Sequence, residues 1–196
     1  MGTSEKLMEA FKRFDEANAE DPNKEVFEGR EYPKELLYAQ RMTHILNAFE
    51  PEASEALQLT VRCQHICRWE IPRESYEMNR VGYLKWRQEL KKFHAQKAGA
   101  ILKEVGYDDG TVERVQFLLL KKQLKKDEDT QTLEDVICLV FLMYYYDPFI
   151  HKHNDDKVIS ITQKTWKKMS PKGHKAALGL SFSNRGLELV TKAISE

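Results

Sequence analysis

The sequence predicts an all-α fold: a single-domain bundle of about eight helices with no sheet. Three observations predict it. Apolar residues recur three and four apart along most of the chain, which is the period of one helix face. No segment sustains the period-two alternation of a half-buried strand. Gly and Pro are few, 9 and 6, too few for a sandwich or barrel that needs many tight turns. A length of 196 residues suits one domain with a sizeable core.

The elements follow in order. A first helix is expected from about Ser4 to Ala19, with Leu7, Phe11 and Phe14 on one stripe, and a charged connector runs from Glu20 to Arg30. Pro33 suits the first residue of a second helix, which carries Tyr38, Met42, Ile45, Leu46 and Phe49 at helical spacing. Pro51 opens a third in the same way, with Ala56, Leu59, Cys63 and Ile66 as its stripe, stopping before Pro72. After a loop over 71–80, a long fourth helix runs from about Gly82 to Val105 and ends at Gly106, a residue suited to a left-handed cap.

Asp108 or Asp109 caps a fifth helix with Val112, Val115 and Leu119 inward. Lys121, Lys122, Lys125 and Lys126 fall at its C-terminal turn, where cations suit the helix dipole. Asp129 or Thr130 caps a sixth. It is apolar nearly all round from Leu133 to Tyr146, as a central buried helix would be. A seventh covers 155–169, Ser170-Pro171 breaks the chain, and Ser183 caps a last helix to about Ile194.

Lys plus Arg equal Asp plus Glu at 31 each, so no global basic field draws nucleic acid. The three cysteines form no CxxC pair, and reduced core thiols are the expectation. The first residues lack the apolar core of a signal peptide, and the run Val136–Tyr146 is too short to span a bilayer. A cytoplasmic location, with no membrane partner, is the expectation. There is no glycine-rich phosphate loop, HExxH or GxSxG, hence no motif for an organic cofactor. His151 and His153 fall in an expected loop without further ligands.

Ionisable residues on apolar stripes need an explanation, because buried charge is costly unless paired. Arg62, His65 and Trp69 share one helical stripe, and could form a rim of donors aimed at an anion. The plainer reading is a histidine bonded to a backbone carbonyl. His94 follows Leu90 and precedes Ala98 and Ile101 inward, with Arg87 two turns earlier on that face. Lys122 continues the stripe of Val115 and Leu119, and Lys121 that of Phe117, unless they snorkel to water. Glu134 and Asp135 open the buried helix, where they could neutralise the dipole, pair with an inward cation or bind a metal. Residues 164–170 mix lysines with Trp166, a composition that could grip phosphate or stack on a base.

The strings QHICRWEIPR, GYLKWRQELKKFHAQKA, DEDTQTLEDVICLVFL and KTWKKMS resemble the uncharacterised "domain of unknown function 4202" family over almost the whole chain. More distantly, the helix order resembles the HD superfamily of metal-dependent phosphohydrolases. That likeness implies an HD-like core over 31–150, after an N-terminal helix and connector at 1–30 and before C-terminal helices at 151–196. It places Tyr38 where the first histidine would stand, Gln64-His65 at the His-Asp pair, and His94 at an extra histidine. Lys121 or Lys122 falls where another often lies, and Asp135 at the final aspartate.

Tyr38 and Gln64 replace ligating types, and His65 replaces the bridging carboxylate. A divalent ion would keep only His65, His94 and Asp135, so metal is disfavoured. The implied site has reversed charge, with Arg62, Arg68, Arg73, Arg87 and a lysine around His65 and His94. Such a cluster suits phosphate or carboxylate groups. The expectation is a pocket for a phosphorylated small molecule or nucleotide. Binding residues would be Arg62, Gln64, Arg68, Trp69, Arg73, Arg87, Lys121, Lys122 and Glu134. If the protein hydrolyses its ligand, His65 or His94 would be acid or base, oriented by Asp135. The alternative is an RNA- or protein-binding adaptor without catalysis.

Overall fold

The computed structural model describes residues 3–195, and they are predominantly α-helical. The helices are α1 (Thr3–Ala19), α2 (Lys34–Phe49), α3 (Glu55–Cys63), α4 (Arg80–Val105), α5 (Asp109–Leu119), α6 (Glu128–Val140), α7 (Tyr146–Lys152), α8 (Asp155–Lys168), α9 (Pro171–Leu178) and α10 (Asn184–Ser195). The chain groups into two compact units. One is Met1–Leu46 with Glu52–Lys122, the other Asn47–Pro51 with Gln123–Glu196.

In the first unit α4 lies along α5, and α1 and α3 pack with them. The shared core joins Ala10 and Phe14 to Leu59, Cys63 and Ile66, and to Ala98, Leu102, Val112, Val115 and Leu119. These are the apolar stripes read from the sequence, meeting across helices. Gly99 lets α5 approach: a Cβ there would sit 2.4 Å from Gln116 Nε2, which donates to the Ala95 carbonyl at 3.1 Å. Gly106 takes φ +93° and closes α4, as expected. Asp108 caps α5 by accepting from Thr111 N at 2.9 Å.

The expectation of no sheet is corrected by a small hairpin, β1 (Lys24–Phe27) and β2 (Arg30–Pro33), antiparallel with Lys24 opposite Pro33. Its two-residue turn, Glu28-Gly29, has positive φ at both positions, 49° and 74°, the form that matches strand twist. The charged connector hid it, because only Glu-Gly marks the turn. Two strands alone are marginal. This pair is held to α2 by Arg41, whose guanidinium meets Glu25 at 2.5 Å and lies 4.7 Å from the Phe27 ring centre.

Helix starts also differ. Pro33 ends β2, and α2 begins at Lys34. Pro51 lies in a turn, and Ser54 caps α3, its hydroxyl accepting from Leu57 N. The third helix stops at Cys63, well short of Pro72, because the chain tightens into turns over 63–71. Cys67 takes the left-handed region there, φ 51°, fixed by its N–H donating to buried Asn18 Oδ1 at 3.0 Å. The lysines beyond α5 are not one helical turn: Lys121 and Lys125 adopt positive φ.

The second unit packs α6 against α8 and α9, and α10 against α8. The apolar run continues from α6 through a widened π-type stretch, Phe141–Tyr145, into α7. Leu133, Val136, Leu139, Val140, Leu142 and Tyr146 are buried, but Met143 is exposed. Asp127, not Asp129 or Thr130, caps α6. Helix α7 carries His151 where a loop is expected. Ser170-Pro171 is not a plain break: Ser170 caps α9, and Pro171 is its first residue. Ser183 caps α10, donating to Asp147 and accepting from Gly186 N at 3.0 Å. Among the described residues no helix is long and apolar enough to cross a membrane.

Candidate functional site

The site begins with how α2 starts. Buried Asp21 accepts from Asn23 N at 2.9 Å with one carboxylate oxygen and from Glu35 N at 3.0 Å with the other. This ties the first turn of α2 to the chain before the hairpin. One helical turn on lies Tyr38, and both residues face the turns that follow α3. Glu35 is buried, and its Oε2 lies 3.4 Å from His65 Nδ1. The Tyr38 ring stacks on the His65 imidazole, with centres 4.3 Å apart and planes 12° off parallel.

His65 keeps 24% of its side chain exposed and lies in the turn after α3. His94 is 4% exposed and comes from mid-α4. The two ring centres are 5.9 Å apart. His94 Nδ1 sits 2.8 Å from the Ile66 carbonyl. A carbonyl only accepts, so Nδ1 carries the proton and donates. The Nε2 of His94 and the Oε1 of Gln64, the residue before His65 in the chain, are buried and meet no hydrogen-bonding group of the protein.

Charge converges on this group. Arg68, Lys121, Arg87 and Lys34 all oppose protonation of His65, after burial, which is the larger cause, and its pKa lies well below 6.5. Each cation comes from a different segment: the turn Arg68–Glu70, the turn after α5, α4 and the start of α2. Burial first and His65 second hold His94 down at about 3. Burial raises the pKa of Glu35 against the pull of Arg68, Lys34 and His94. Arg68 thus acts on all three groups. Its guanidinium lies 5.0 Å from the centre of the Trp86 ring, whose Nε1 donates to the Ile71 carbonyl at 2.9 Å.

Of the expected residues, the first unit therefore brings together His65, His94, Arg68, Arg87 and Lys121. It gives others different work. Arg62 does not join the rim. It forks onto Asp15, Nε to Oδ1 at 2.7 Å and Nη2 to Oδ2 at 2.5 Å, and its Nη1 donates to Thr43 at 3.2 Å. Trp69 packs on the hydrophobic core. The shared stripe with His65 disappears because α3 ends at Cys63. Arg73 clamps its own loop, donating to the carbonyls of Tyr76, Glu77 and Asn79. Lys122 is exposed.

Glu134 and Asp135 belong to the second unit. Glu134 meets Lys168 at 3.3 Å. Asp135 accepts from Ser170 N at 2.8 Å and from Ser170 Oγ at 2.5 Å, bracing the residue that caps α9. Gly173 is needed there, since a Cβ would sit 2.5 Å from Asp135 Oδ1. The carboxylate beside the histidines is Glu35, which the sequence reading missed. Its signal was a charged residue one turn before Tyr38 and two before Met42, on the buried face of α2. An acid in the first turn of a helix ordinarily serves the dipole, so its position alone does not mark it.

Among the described residues, no group of three or more His, Cys, Asp and Glu side chains is placed to hold a metal ion. The donor set agrees: one nitrogen of His94 is committed to a carbonyl, and nearby cations oppose positive charge at His65. The divalent centre implied by the HD likeness does not fit these residues.

Fold and site together define an α-helical protein in which Glu35, His65 and His94 meet and nearby cations oppose charge on His65. The chain matches the family described as "Domain of unknown function (DUF4202)" over residues 8–190, and it belongs to that family. No curated protein and no solved structure matches it.

Proposed function

We propose that this protein binds a phosphorylated small molecule or a nucleotide at the Glu35–His65–His94 group. The observation that carries this reading is the convergence of Arg68, Arg87, Lys34 and Lys121 on one half-buried histidine. Four like charges gathered from four segments repel one another. A bound anion would relieve that repulsion and accept charge-assisted hydrogen bonds. An HD-like order of helices, the likeness read from the sequence, would account for the meeting of Tyr38, His65 and His94 without the metal.

Thermal-shift measurements with inorganic phosphate, nucleotides and sugar phosphates test the reading. Stabilisation that grows with ligand concentration is expected, and it should weaken in Arg68→Ala. No stabilisation at millimolar ligand would remove the proposal.

Hydrolysis is the second reading, and the contact between His65 and Glu35 favours it. An arriving phosphate would offset the cations and draw a proton onto His65, with Glu35 holding Nδ1. The ring would then be a general acid for a leaving oxygen, and the cations would stabilise the charge that develops. Phosphate-ester profiling of the wild type and His65→Ala discriminates. Equal residual rates would leave binding without turnover.

The adaptor reading has less support. Trp166 stacks on His174 with centres 4.1 Å apart, and Lys168 faces Glu134. Two of the residues expected to grip RNA are thus engaged within their own unit.

A further inference from the structure

We infer that the anion is a nucleoside polyphosphate lying along α4, with its base stacked on Tyr83 and its phosphates running past Arg87 to the histidines. This rests on the phosphate reading and narrows it to a ligand class.

Tyr83, Arg87, Leu90 and His94 are spaced four, three and four apart, so they share one stripe of α4. A rise of about 1.5 Å per residue sets Arg87 about 6 Å along the axis from Tyr83 and about 10 Å from His94. His94 meets His65, which keeps 24% of its side chain exposed. Solvent therefore reaches both ends of this path, the Tyr83 ring and the His65 imidazole. Arg68 and Arg87 join the ends. Arg87 lies 5.8 Å from the centre of the Tyr83 ring, and Arg68 lies 5.0 Å from that of Trp86, whose own centre is 6.0 Å from Tyr83. Both arginines also act on His65.

Each position offers a different chemistry. Among the described residues Tyr83 is the most exposed aromatic, at 42%. Every nucleobase has a flat face that covers such a ring, whereas an alkyl or sugar phosphate leaves it in water. Arg87 is exposed beside the ring and presents a fork of N–H donors to the anion that follows the base. One phosphate is too short for the whole path. Tyr83 and His94 are about 16 Å apart along the axis, and the single phosphate of a nucleotide ends near Arg87. A chain of phosphates covers the rest and brings anionic oxygens to the cations around His65.

Calorimetric titration of the 196-residue chain at neutral pH, with ATP, AMP and inorganic triphosphate, tests this. ATP is expected to bind about tenfold or more tighter than triphosphate, the worth of stacking one base on an aromatic ring. It should also bind tighter than AMP, which lacks the phosphates that reach the histidines. Tyr83→Ala should bring ATP to the affinity of triphosphate and leave triphosphate unchanged, while Tyr83→Phe keeps the preference. Both changes fall on an exposed side chain, so the chain should fold in each. Equal wild-type affinity for ATP and triphosphate would overturn this inference and leave the phosphate reading standing. A preference for ATP that survives Tyr83→Ala would overturn it too, as would an equal loss of both ligands in that variant, which would make Tyr83 a support for Arg87. AMP binding as tightly as ATP would overturn the path to the histidines. Failure of all three compounds to bind would overturn the phosphate reading itself.

Discussion

Glu35 Oε2 stands 3.4 Å from His65 Nδ1, yet both groups are driven toward their neutral forms. Burial raises the carboxyl and, with the surrounding cations, lowers the imidazole. The pair is therefore close without being a settled ion pair. Its protonation is open to whatever charge arrives beside it.

Glu35→Gln should stabilise the protein at alkaline pH. The folded pKa of Glu35 is raised above 4.5, so its favourable contribution is complete below the unfolded value. That contribution is lost as pH rises through the folded one. The variant is expected to show a higher denaturation midpoint near pH 8 and no advantage in acid. A lower midpoint at both pH values would mean that the carboxylate is a net stabilising partner of His65.

Acid should destabilise the fold through the histidines. The pKa of His94 falls from 6.5 to about 3 on folding. The unfolded chain therefore binds more protons between those values. Stability is full above 6.5 and is lost as pH falls toward 3, at about 1 kcal/mol per pH unit for one group. His65 adds in the same direction. Urea denaturation at several pH values should show the slope, and His94→Asn should flatten it. An unchanged slope in that variant would assign the acid sensitivity elsewhere.

Arg62 and Asp15 should behave as a structural pair. Their side chains are 13% and 29% exposed and joined by a two-pronged contact. Truncating either to Ala is expected to cost about 2 kcal/mol, below the figure for a fully buried pair. In a double-mutant cycle the losses should not add. Phosphate binding measured on the folded fraction should not change. A specific loss of binding would return Arg62 to the site.

Asp135 should be needed for stability. Asp135→Ala removes both bonds to Ser170 and is expected to cost about 2 kcal/mol. Gly173→Ala forces a Cβ against the same carboxylate and should cost about 1–3 kcal/mol. If Asp135→Ala keeps the wild-type denaturation midpoint, the cap is not what the residue provides.

The helical class was legible in the sequence, as were most of the inward stripes. Periodicity reports which residues of one helix share a face, and local sterics and caps such as Gly106, Asp108 and Ser183 act within a few residues. His65 and His94 could be picked out for the same reason: each is a polar group on an apolar stripe. What the sequence could not decide was partnership. Arg62 and His65 look equivalent on a helical wheel, but the helix ends between them. The first turns to an aspartate 47 positions away, and the second to Glu35. Asp135 looks like a site acid until Ser170, 35 positions on, is seen to take both its oxygens. Nothing local marks Glu35 apart from other first-turn acids; only the fold buries it. A side chain's chemistry depends on charges and dipoles within a few ångströms, and those neighbours come from remote segments that only tertiary packing brings together.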